Sequence, residues 1–309
     1  MKSSGKTKSL ASAAPPRDVM FIARLDGSEQ CYMEMLPDGF APGAAHDLII
    51  ALHGHGADRT QFATGNGPEF KAFRDFAGER GMVAVSPDYR ASASWMGPAA
   101  EADVVQIIDE LKGRYKIGKV FMVGASMGGA STLTFASLHP QMLDGITAMN
   151  AHANHVEYNM FQDAISASFG GAKAEEPNEY MKRSAEFHPD KLAMPAAFTI
   201  GDKDALVPPE SVRRLVAKLR RSNQDVLLID RQEGGHSTNY EDAMTAMEFM
   251  FARALQRGDT GAIEARGQSA CQVLDKERQR KLDRRCVGKT EMFWAKGGGD
   301  GIPGTGNQL

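Results

Sequence analysis

The sequence contains few cysteines and no long hydrophobic run. Three cysteines occur in 309 residues, an odd number without CxxC spacing, which disfavours both a disulfide framework and a zinc site. No stretch approaches the ~18–20 consecutive apolar residues that a membrane span needs. The basic start of the chain also lacks the apolar segment of a signal peptide. We therefore expect a cytoplasmic protein without a membrane span.

An excess of charge of one sign is also missing. Lysine and arginine number 36 and aspartate and glutamate 39, while hydrophobic residues make up 42% of the chain. A nucleic-acid-binding protein carries a basic excess, and a disordered chain combines low hydrophobicity with high net charge. The composition therefore favours a globular protein with no nucleic-acid partner, long enough to bury roughly three quarters of its extended surface.

Apolar segments of strand length recur along the chain and predict about eight strands. Several are almost continuously apolar, as is typical of parallel strands that helices cover on both faces. A short turn at Asp26-Gly27 predicts that the first two strands form an antiparallel hairpin. We expect an α/β fold with a mostly parallel sheet flanked by helices. The predicted strands are 17–23, 30–36, 47–53, 82–87, 119–124, 144–150, 196–201 and 225–230, and the predicted helices are 67–81, 100–115, the stretch after Ser126, 209–222 and 240–255.

The segment VGASMGGA (123–130) contains a G-x-S-x-G pentapeptide centred on Ser126. It follows an apolar strand and precedes a helical stretch, which is the context of a nucleophile elbow. Small residues at 124 and 128 permit the sharp turn that makes the serine project. The alternative is a tight turn with an N-capping serine. The context favours Ser126 as a nucleophile.

A serine nucleophile needs a base, and the base needs an orienting acid. Among eight histidines, His236 lies on a glycine-rich loop after the last predicted strand. The loop after the penultimate strand carries Asp204, which we favour as the acid, and Asp202 as the alternative. The chain order is then serine, aspartate, histidine, unlike that of chymotrypsin or subtilisin. The competing histidines are His53, His55, His139, His152, His155 and His188, with His46 less favoured.

Acyl transfer also requires donors for the oxyanion that develops on the substrate carbonyl. One expected donor is the backbone N–H of Met127, which follows the nucleophile. The second is expected from the HGHG turn, at His55 or a glycine beside it. The side chains of His53 and His55 are a weak metal signal without matching carboxylates or cysteines, so we expect no metal site.

With these motifs, the chain resembles the α/β-hydrolase superfamily, and within it the prolyl oligopeptidase-type serine esterases, over about residues 17–256. The matching segments are LIIALHGHGADRTQF, SPDYRASASWMGPAAEADVVQIIDEL, GASMGGASTLTFASLHP, MKRSAEFHPDKLAMPAAFTIGDKDALVPPESV and EGGHSTNYEDA. The resemblance implies a serine hydrolase that forms an acyl-enzyme, with Ser126 as nucleophile, His236 as base and Asp204 as acid. Peptidases of this kind carry an N-terminal β-propeller, whereas fewer than 50 residues precede the oxyanion strand here. The resemblance therefore favours an esterase.

We expect three parts along the chain: a flexible segment over 1–16, a catalytic domain over 17–256, and a disordered tail over 257–309. Within the domain, residues 152–192 exceed a simple crossover and are interpreted as a small cap over the pocket. Substrate contacts are expected from Trp95, His152 and His155 and from the aromatic residues Tyr158, Phe161, Phe169 and Tyr180, which could instead pack the cap on the body.

The leading hypothesis is hydrolysis of a small-molecule carboxylic ester, a reaction that needs no cofactor. The alternatives are a small-peptide or amide hydrolase with the same triad, and a catalytically silent binding protein of the same fold. The sequence leaves the oligomeric state open.

Overall fold

A computed structural model of the chain describes residues 15–257. The expected N-terminal segment and C-terminal tail therefore lie outside the described residues, apart from Pro15, Pro16 and Arg257. No helix within the described range is both long and apolar enough to cross a membrane.

Eight strands within residues 15–257 form one sheet, as the sequence predicts. The strands follow the order β1-β2-β4-β3-β5-β6-β7-β8 across the sheet. The pairs β1–β2 and β2–β4 are antiparallel, and all the others are parallel. The predicted hairpin and mostly parallel sheet are thus confirmed. The strands are β1 Arg17–Ile22, β2 Glu29–Met35, β3 Ala45–Leu52, β4 Val83–Pro87, β5 Lys116–Ala125, β6 Gly145–Met149, β7 Ala196–Gly201 and β8 Val226–Arg231.

Helices connect the parallel strands and cover both faces of the sheet. In the described part of the chain, three short 3-10 turns occur at Pro140–Met142, Ala185–Phe187 and Pro189–Lys191. The helices are α1 Thr60–Thr64, α2 Pro68–Glu79, α3 Pro98–Arg114, α4 Met127–Leu138, α5 Gln162–Phe169, α6 Pro177–Lys182, α7 Glu210–Leu219 and α8, which spans 240–257.

The core has two layers because side chains alternate between the faces of each strand. In β3, Leu48 and Ile50 pack with α3, α4 and α7, whereas Ile49 packs with α2 and α8. All three side chains are fully buried. This double burial explains why the central strands are almost continuously apolar in sequence.

The parallel strands all end at one edge of the sheet. The loops that follow β3, β5, β6, β7 and β8 leave from this edge and carry the predicted nucleophile, acid, base and oxyanion donors. Between β6 and β7 lie α5, α6 and two of the 3-10 turns, within the segment interpreted as a cap.

Candidate active site

The turn between β5 and α4 holds Ser126 in a strained conformation. Its φ is 59° and its ψ is −121°, a region that L-residues rarely adopt. Its backbone N–H donates to Met149 O of β6 at 2.9 Å, which fixes the turn to the neighbouring strand. The strained turn places the Ser126 hydroxyl at the start of a helix, above the sheet edge.

Glycines make this turn possible because they let the backbone segments pack closely. A Cβ atom at Gly124 would overlap the carbonyl group of Gly128, and one at Gly128 would overlap the carbonyl group of Leu52. Backbone atoms cannot move aside as a flexible side chain can. The two glycines of the pentapeptide therefore serve helix–strand packing.

Ser126, His236 and Asp204 form a continuous chain of hydrogen bonds. The distance from Ser126 Oγ to His236 Nε2 is 2.8 Å, and that from His236 Nδ1 to Asp204 Oδ2 is 2.7 Å. An ionised carboxylate can only accept, so the proton of a neutral His236 ring lies on Nδ1. The lone pair of Nε2 then faces the serine hydroxyl.

Asp204 is held so that it remains ionised. Its side chain is 1% exposed, and its Oδ1 accepts hydrogen bonds from the backbone N–H groups of Leu206, at 3.0 Å, and Val207, at 2.8 Å. Burial acts to raise the pKa of this carboxyl, but the hydrogen bonds from His236 and the two amides outweigh it and lower the pKa. The carboxylate is therefore available to orient the imidazole.

The alternative acid, Asp202, faces elsewhere. Its Oδ1 accepts a hydrogen bond from Arg213 of α7 at 2.6 Å. The loops of Asp202 and His236 are joined by backbone bonds, including Lys203 N to Gly234 O at 2.9 Å. This connection places Asp204, which follows Asp202 by two residues, against His236.

Four of the other histidines hydrogen-bond to groups other than Ser126 and Asp204. The buried ring of His53 lies against the carbonyl oxygens of Gly54 and Asp88. The remaining contacts are those of His46 with Gly81 O, His139 with Glu101, and His188 with Met181 O.

In the HGHG turn, two backbone N–H groups already have acceptors among the described residues and a third does not. The N–H of Gly54 donates to Gln61 Oε1 at 2.8 Å, and the N–H of Gly56 donates to Ser92 O at 2.7 Å. The N–H of His55 lies between them and has no assigned acceptor within residues 15–257. Met127 is the first residue of α4, where backbone N–H groups lack a helical acceptor. The N–H groups of His55 and Met127 are therefore the candidates for the two expected oxyanion donors.

The side chain of His55 is positioned by aromatic residues. Its Nδ1 accepts a hydrogen bond from the indole N–H of Trp95 at 3.2 Å, and its ring lies 4.3 Å from that of Phe161, centroid to centroid. Burial lowers the pKa of His55, so the ring is neutral with its proton on Nε2. Trp95 thus affects the pocket indirectly, because its hydrogen bond orients the His55 ring.

A pocket of about 270 Å³ opens at Ser126. Its lining is about equally polar and apolar, and it differs in part from the sequence expectation. It is lined by Gly54, His55, Gln61, Glu69, Phe70, Ala125, Ser126, Asn150, Phe161, Leu206, His236 and Ser237.

Trp95, His152 and His155, from which substrate contacts are expected, are not among the residues that line this pocket. They are buried behind it, at 1%, 3% and 1% exposure. The Trp95 ring packs on His152, and His152 Nε2 lies 3.1 Å from His155 Nδ1. Among the aromatic residues expected at the substrate, Phe161 lines the pocket, while Tyr158, Phe169 and Tyr180 are buried. The sequence could not separate these cases because burial and substrate contact both favour aromatic residues.

The lining residues that the sequence analysis did not name include Gln61, Glu69, Phe70 and Asn150. Asn150 directly follows β6, so its place at the carboxyl edge was a usable signal. The other three lie in or beside the short helices after the HGHG turn, where no local pattern indicates a pocket.

A model of the prolyl oligopeptidase family matches residues 68–256, which is more than half of the chain. The chain therefore belongs to the prolyl oligopeptidase family, within the serine hydrolases of the α/β-hydrolase superfamily. No curated protein sequence matches the chain significantly.

Solved structures share the fold at low sequence identity. A thermostable esterase is 18% identical, with a TM-score of 0.57, and the match covers 77% of this chain and 63% of that one. A putative dipeptidyl aminopeptidase IV from Bacteroides ovatus is 15% identical, with a TM-score of 0.63, covering 78% and 35%. The S-formylglutathione hydrolase FrmB from Staphylococcus aureus is 17% identical, with a TM-score of 0.59, covering 78% and 99%. The chain thus spans less than two thirds of the first two proteins.

Proposed function

We propose that this chain hydrolyses small carboxylic esters through an acyl-enzyme, with Ser126 as the nucleophile, His236 as the general base and Asp204 as the orienting acid. The observation that carries the proposal is the hydrogen-bond chain from Asp204 through His236 to Ser126, at 2.7 and 2.8 Å. The 2.8 Å between His236 Nε2 and Ser126 Oγ lies within the range in which a base removes a proton from a hydroxyl group.

In the first half of the reaction, His236 Nε2 takes the hydroxyl proton while Ser126 Oγ forms a bond to the ester carbonyl carbon. The carbonyl oxygen becomes an oxyanion, which the backbone N–H groups of Met127 and His55 stabilise. Each such donor contributes roughly 3–4 kcal/mol to the barrier reduction. The bond to the leaving oxygen then breaks, and His236 returns the proton to the alcohol.

In the second half, water replaces the alcohol. His236 takes a proton from the water as it attacks the acyl carbon, and the same two N–H groups hold the second oxyanion. Breaking the bond to Ser126 Oγ releases the carboxylic acid, and the proton returns to the serine. The negative charge of Asp204 stabilises the imidazolium that forms in both halves.

An ester substrate fits the size and lining of the pocket. About 270 Å³ accommodates a small acyl or alcohol group beside Phe70 and Phe161. The relatives named as a thermostable esterase and an S-formylglutathione hydrolase support ester or thioester chemistry. The family match and the relative named as a dipeptidyl aminopeptidase support amide hydrolysis as the second candidate.

The first experiment is mass spectrometry after treatment with a fluorophosphonate, which reacts with activated serine hydroxyl groups. We expect a single adduct on Ser126, and none in a folded Ser126→Ala variant. Absence of an adduct on folded wild-type protein would contradict the proposal and favour a binding protein of this fold.

The second experiment separates the two candidate substrate classes. Values of kcat/KM are compared for a 4-nitrophenyl ester and the 4-nitroanilide of the same acyl group. We expect a higher value for the ester. A higher value for the anilide would replace the ester assignment with amide hydrolysis and leave the roles of the three residues in place.

A further inference from the structure

The HGHG turn is held in place by a side chain as well as by backbone hydrogen bonds. Gln61 is the second residue of α1, and its Oε1 accepts a hydrogen bond from the backbone N–H of Gly54 at 2.8 Å. Gln61 and Gly54 both line the pocket at Ser126. A Cβ atom at Gly54 would lie 3.7 Å from Gln61 Oε1 and also 3.7 Å from the Cβ atom of Ser126. The amide of Gln61 and the nucleophile therefore lie beside the same glycine.

The hydrogen bond to Gly54 fixes which end of the Gln61 amide faces the turn. A backbone N–H can only donate, so the atom that it meets must be the side-chain carbonyl oxygen. This acceptor is neutral. A carboxylate at the same position would place a negative charge near the oxygen that becomes an oxyanion, and would oppose the reaction. An amide is thus suited to hold the turn where negative charge develops.

The helix that carries Gln61 is itself anchored on both sides of this residue. The backbone N–H of Arg59, which precedes α1, donates to Asp88 Oδ1 at 2.9 Å. Phe62, which follows Gln61, is fully buried, and its ring packs edge-on against that of Phe73 in α2. A side chain on a packed element holds its partner more precisely than one on a free loop. Gln61 therefore gives Gly54 a fixed support.

The two glycines of the turn make outside support necessary. Gly54 has no side chain to restrict its backbone, and Gly56 has a φ of 79°, in the left-handed region. The N–H of Gly56 is fixed by Ser92 O at 2.7 Å, on the far side of His55 from Gly54. Because the peptide bond is planar, the orientation of Gly54 sets the direction of the His55 N–H that follows it. That N–H has no assigned acceptor within residues 15–257.

We infer that Gln61 is a positioning residue for oxyanion stabilisation: its Oε1 holds Gly54 so that the N–H of His55 is directed at the substrate oxygen that becomes negative. The inference rests on the proposed function, because an oxyanion develops there only when Ser126 attacks a carbonyl group. It goes further in assigning a side chain that the reaction requires without touching the substrate. Loss of this hydrogen bond should weaken the binding of the transition state and leave that of the ester almost unchanged.

The first test is steady-state hydrolysis of a 4-nitrophenyl ester by the Gln61→Met variant, which keeps the length of the side chain and removes the acceptor. We expect kcat to fall about ten- to hundredfold while KM stays within about threefold of wild type. Gln141→Met is the matched control, because Gln141 is exposed in the 3-10 turn Pro140–Met142, before the start of β6. It should keep both values. A melting curve for each variant establishes that the protein is folded at the assay temperature.

The second test measures the turn itself and does not depend on turnover. Backbone hydrogen exchange of the peptide that spans the HGHG turn is followed by mass spectrometry in the Ser126→Ala background. We expect exchange about tenfold faster after Gln61→Met, because the N–H of Gly54 loses its acceptor. Gln61→Glu is the conservative variant and keeps an oxygen acceptor, so its exchange should stay within about twofold of the background protein. With Ser126 present, this variant should still have a reduced kcat, because its charge opposes the oxyanion.

The outcomes separate this role from the proposed function. A kcat of Gln61→Met within about twofold of wild type, or turn exchange that Gln61→Met leaves unchanged, would overturn the positioning role, and wild-type turnover would still support the esterase proposal. A rise in KM as large as the fall in kcat would assign Gln61 to substrate binding instead. Absent fluorophosphonate labelling of folded wild-type protein would overturn the esterase proposal and with it the oxyanion role, while the exchange comparison would still decide whether Gln61 holds the turn.

Discussion

The side-chain amide of Asn150 donates a hydrogen bond to the carbonyl oxygen of Gly235 at 3.1 Å. Gly235 directly precedes His236, so this bond connects the end of β6 to the histidine loop. Asn150 also accepts a hydrogen bond from Thr238 on the other side of His236. Its φ of 47° lies in the left-handed region, which asparagine tolerates better than most residues. Asn150 is thus suited to hold the histidine loop in register with Ser126.

Replacing Asn150 with alanine should therefore impair turnover. We expect kcat to fall roughly ten- to hundredfold, because a small displacement of His236 lengthens its bond to Ser126. The Asn159→Ala variant is the control, since Asn159 is exposed and bonds only to Lys173 in the described structure. Steady-state kinetics with a 4-nitrophenyl ester and a melting curve for each variant separate positioning from stability. Equal kcat values for Asn150→Ala and wild type would exclude the positioning role.

The parts of the fold that were predictable are those whose signal is local. The run DLIIALHG predicts β3 because consecutive residues at the centre of a doubly covered strand, here 48–52, are apolar. The G-x-S-x-G pentapeptide predicts the elbow because a side chain at either glycine would overlap neighbouring backbone. The predicted bounds of α2 and α3 lie within two residues of those in the structure, because the helical pattern that predicts them is also local. Short elements such as α1 and α6 were missed because five or six residues are too few to establish a helical period.

Site residues could be predicted only where their position directly after a strand places them at the sheet edge. His236 and Asp204 follow consecutive strands of a parallel sheet, and the ends of such strands meet at one edge. Glu69 reaches the same pocket from a helix that carries no motif, and Trp95 lies behind it despite being aromatic. Such contacts depend on the packing of distant segments, which periodicity does not encode.

Asp204→Asn should reduce kcat while preserving the fold. The variant keeps an oxygen for the N–H groups of Leu206 and Val207, but its amide no longer holds the Nδ1 proton of His236. We expect a loss of roughly a thousandfold to ten-thousandfold in kcat with little change in melting temperature.

The matched control for this change is Asp202→Asn on the same loop. Asp202 bonds to Arg213 of α7, so its replacement should leave kcat within about twofold of wild type and lower stability slightly. If Asp202→Asn caused the larger loss, the roles of the two carboxylates would have to be exchanged.

Gly128→Ala should destabilise the folded state, because the added methyl group would overlap the carbonyl group of Leu52. We expect destabilisation of roughly 3 kcal/mol in urea unfolding, together with loss of activity. Gly113→Ala in α3 provides the opposite control, since nothing lies within 4 Å of its added Cβ. That variant should gain roughly 0.5–1 kcal/mol from helix propensity. A stable, active Gly128→Ala protein would contradict the close packing of α4 on β3.

Glu186 should make stability depend on pH in the acid range. It lies in the segment between β6 and β7 and accepts hydrogen bonds from Arg214, at 2.8 Å, and from Lys218, both on α7. These hydrogen bonds, that of Arg214 above all, lower the pKa of Glu186 to about 2. The carboxylate therefore stabilises the folded state above its unfolded pKa of about 4.3, and this contribution is lost as the pH falls toward 2.

Glu186→Gln should accordingly reduce the free energy of unfolding by roughly 1–2 kcal/mol near pH 7, the size of charge-assisted hydrogen bonds. Urea unfolding at several pH values should find that the difference from wild type begins to shrink below about pH 4.3. Glu79→Gln, at an exposed site, should show no comparable difference at any pH. A difference that stayed constant down to about pH 3 would assign the effect to packing, because only a charge contribution disappears when the carboxylate takes up a proton.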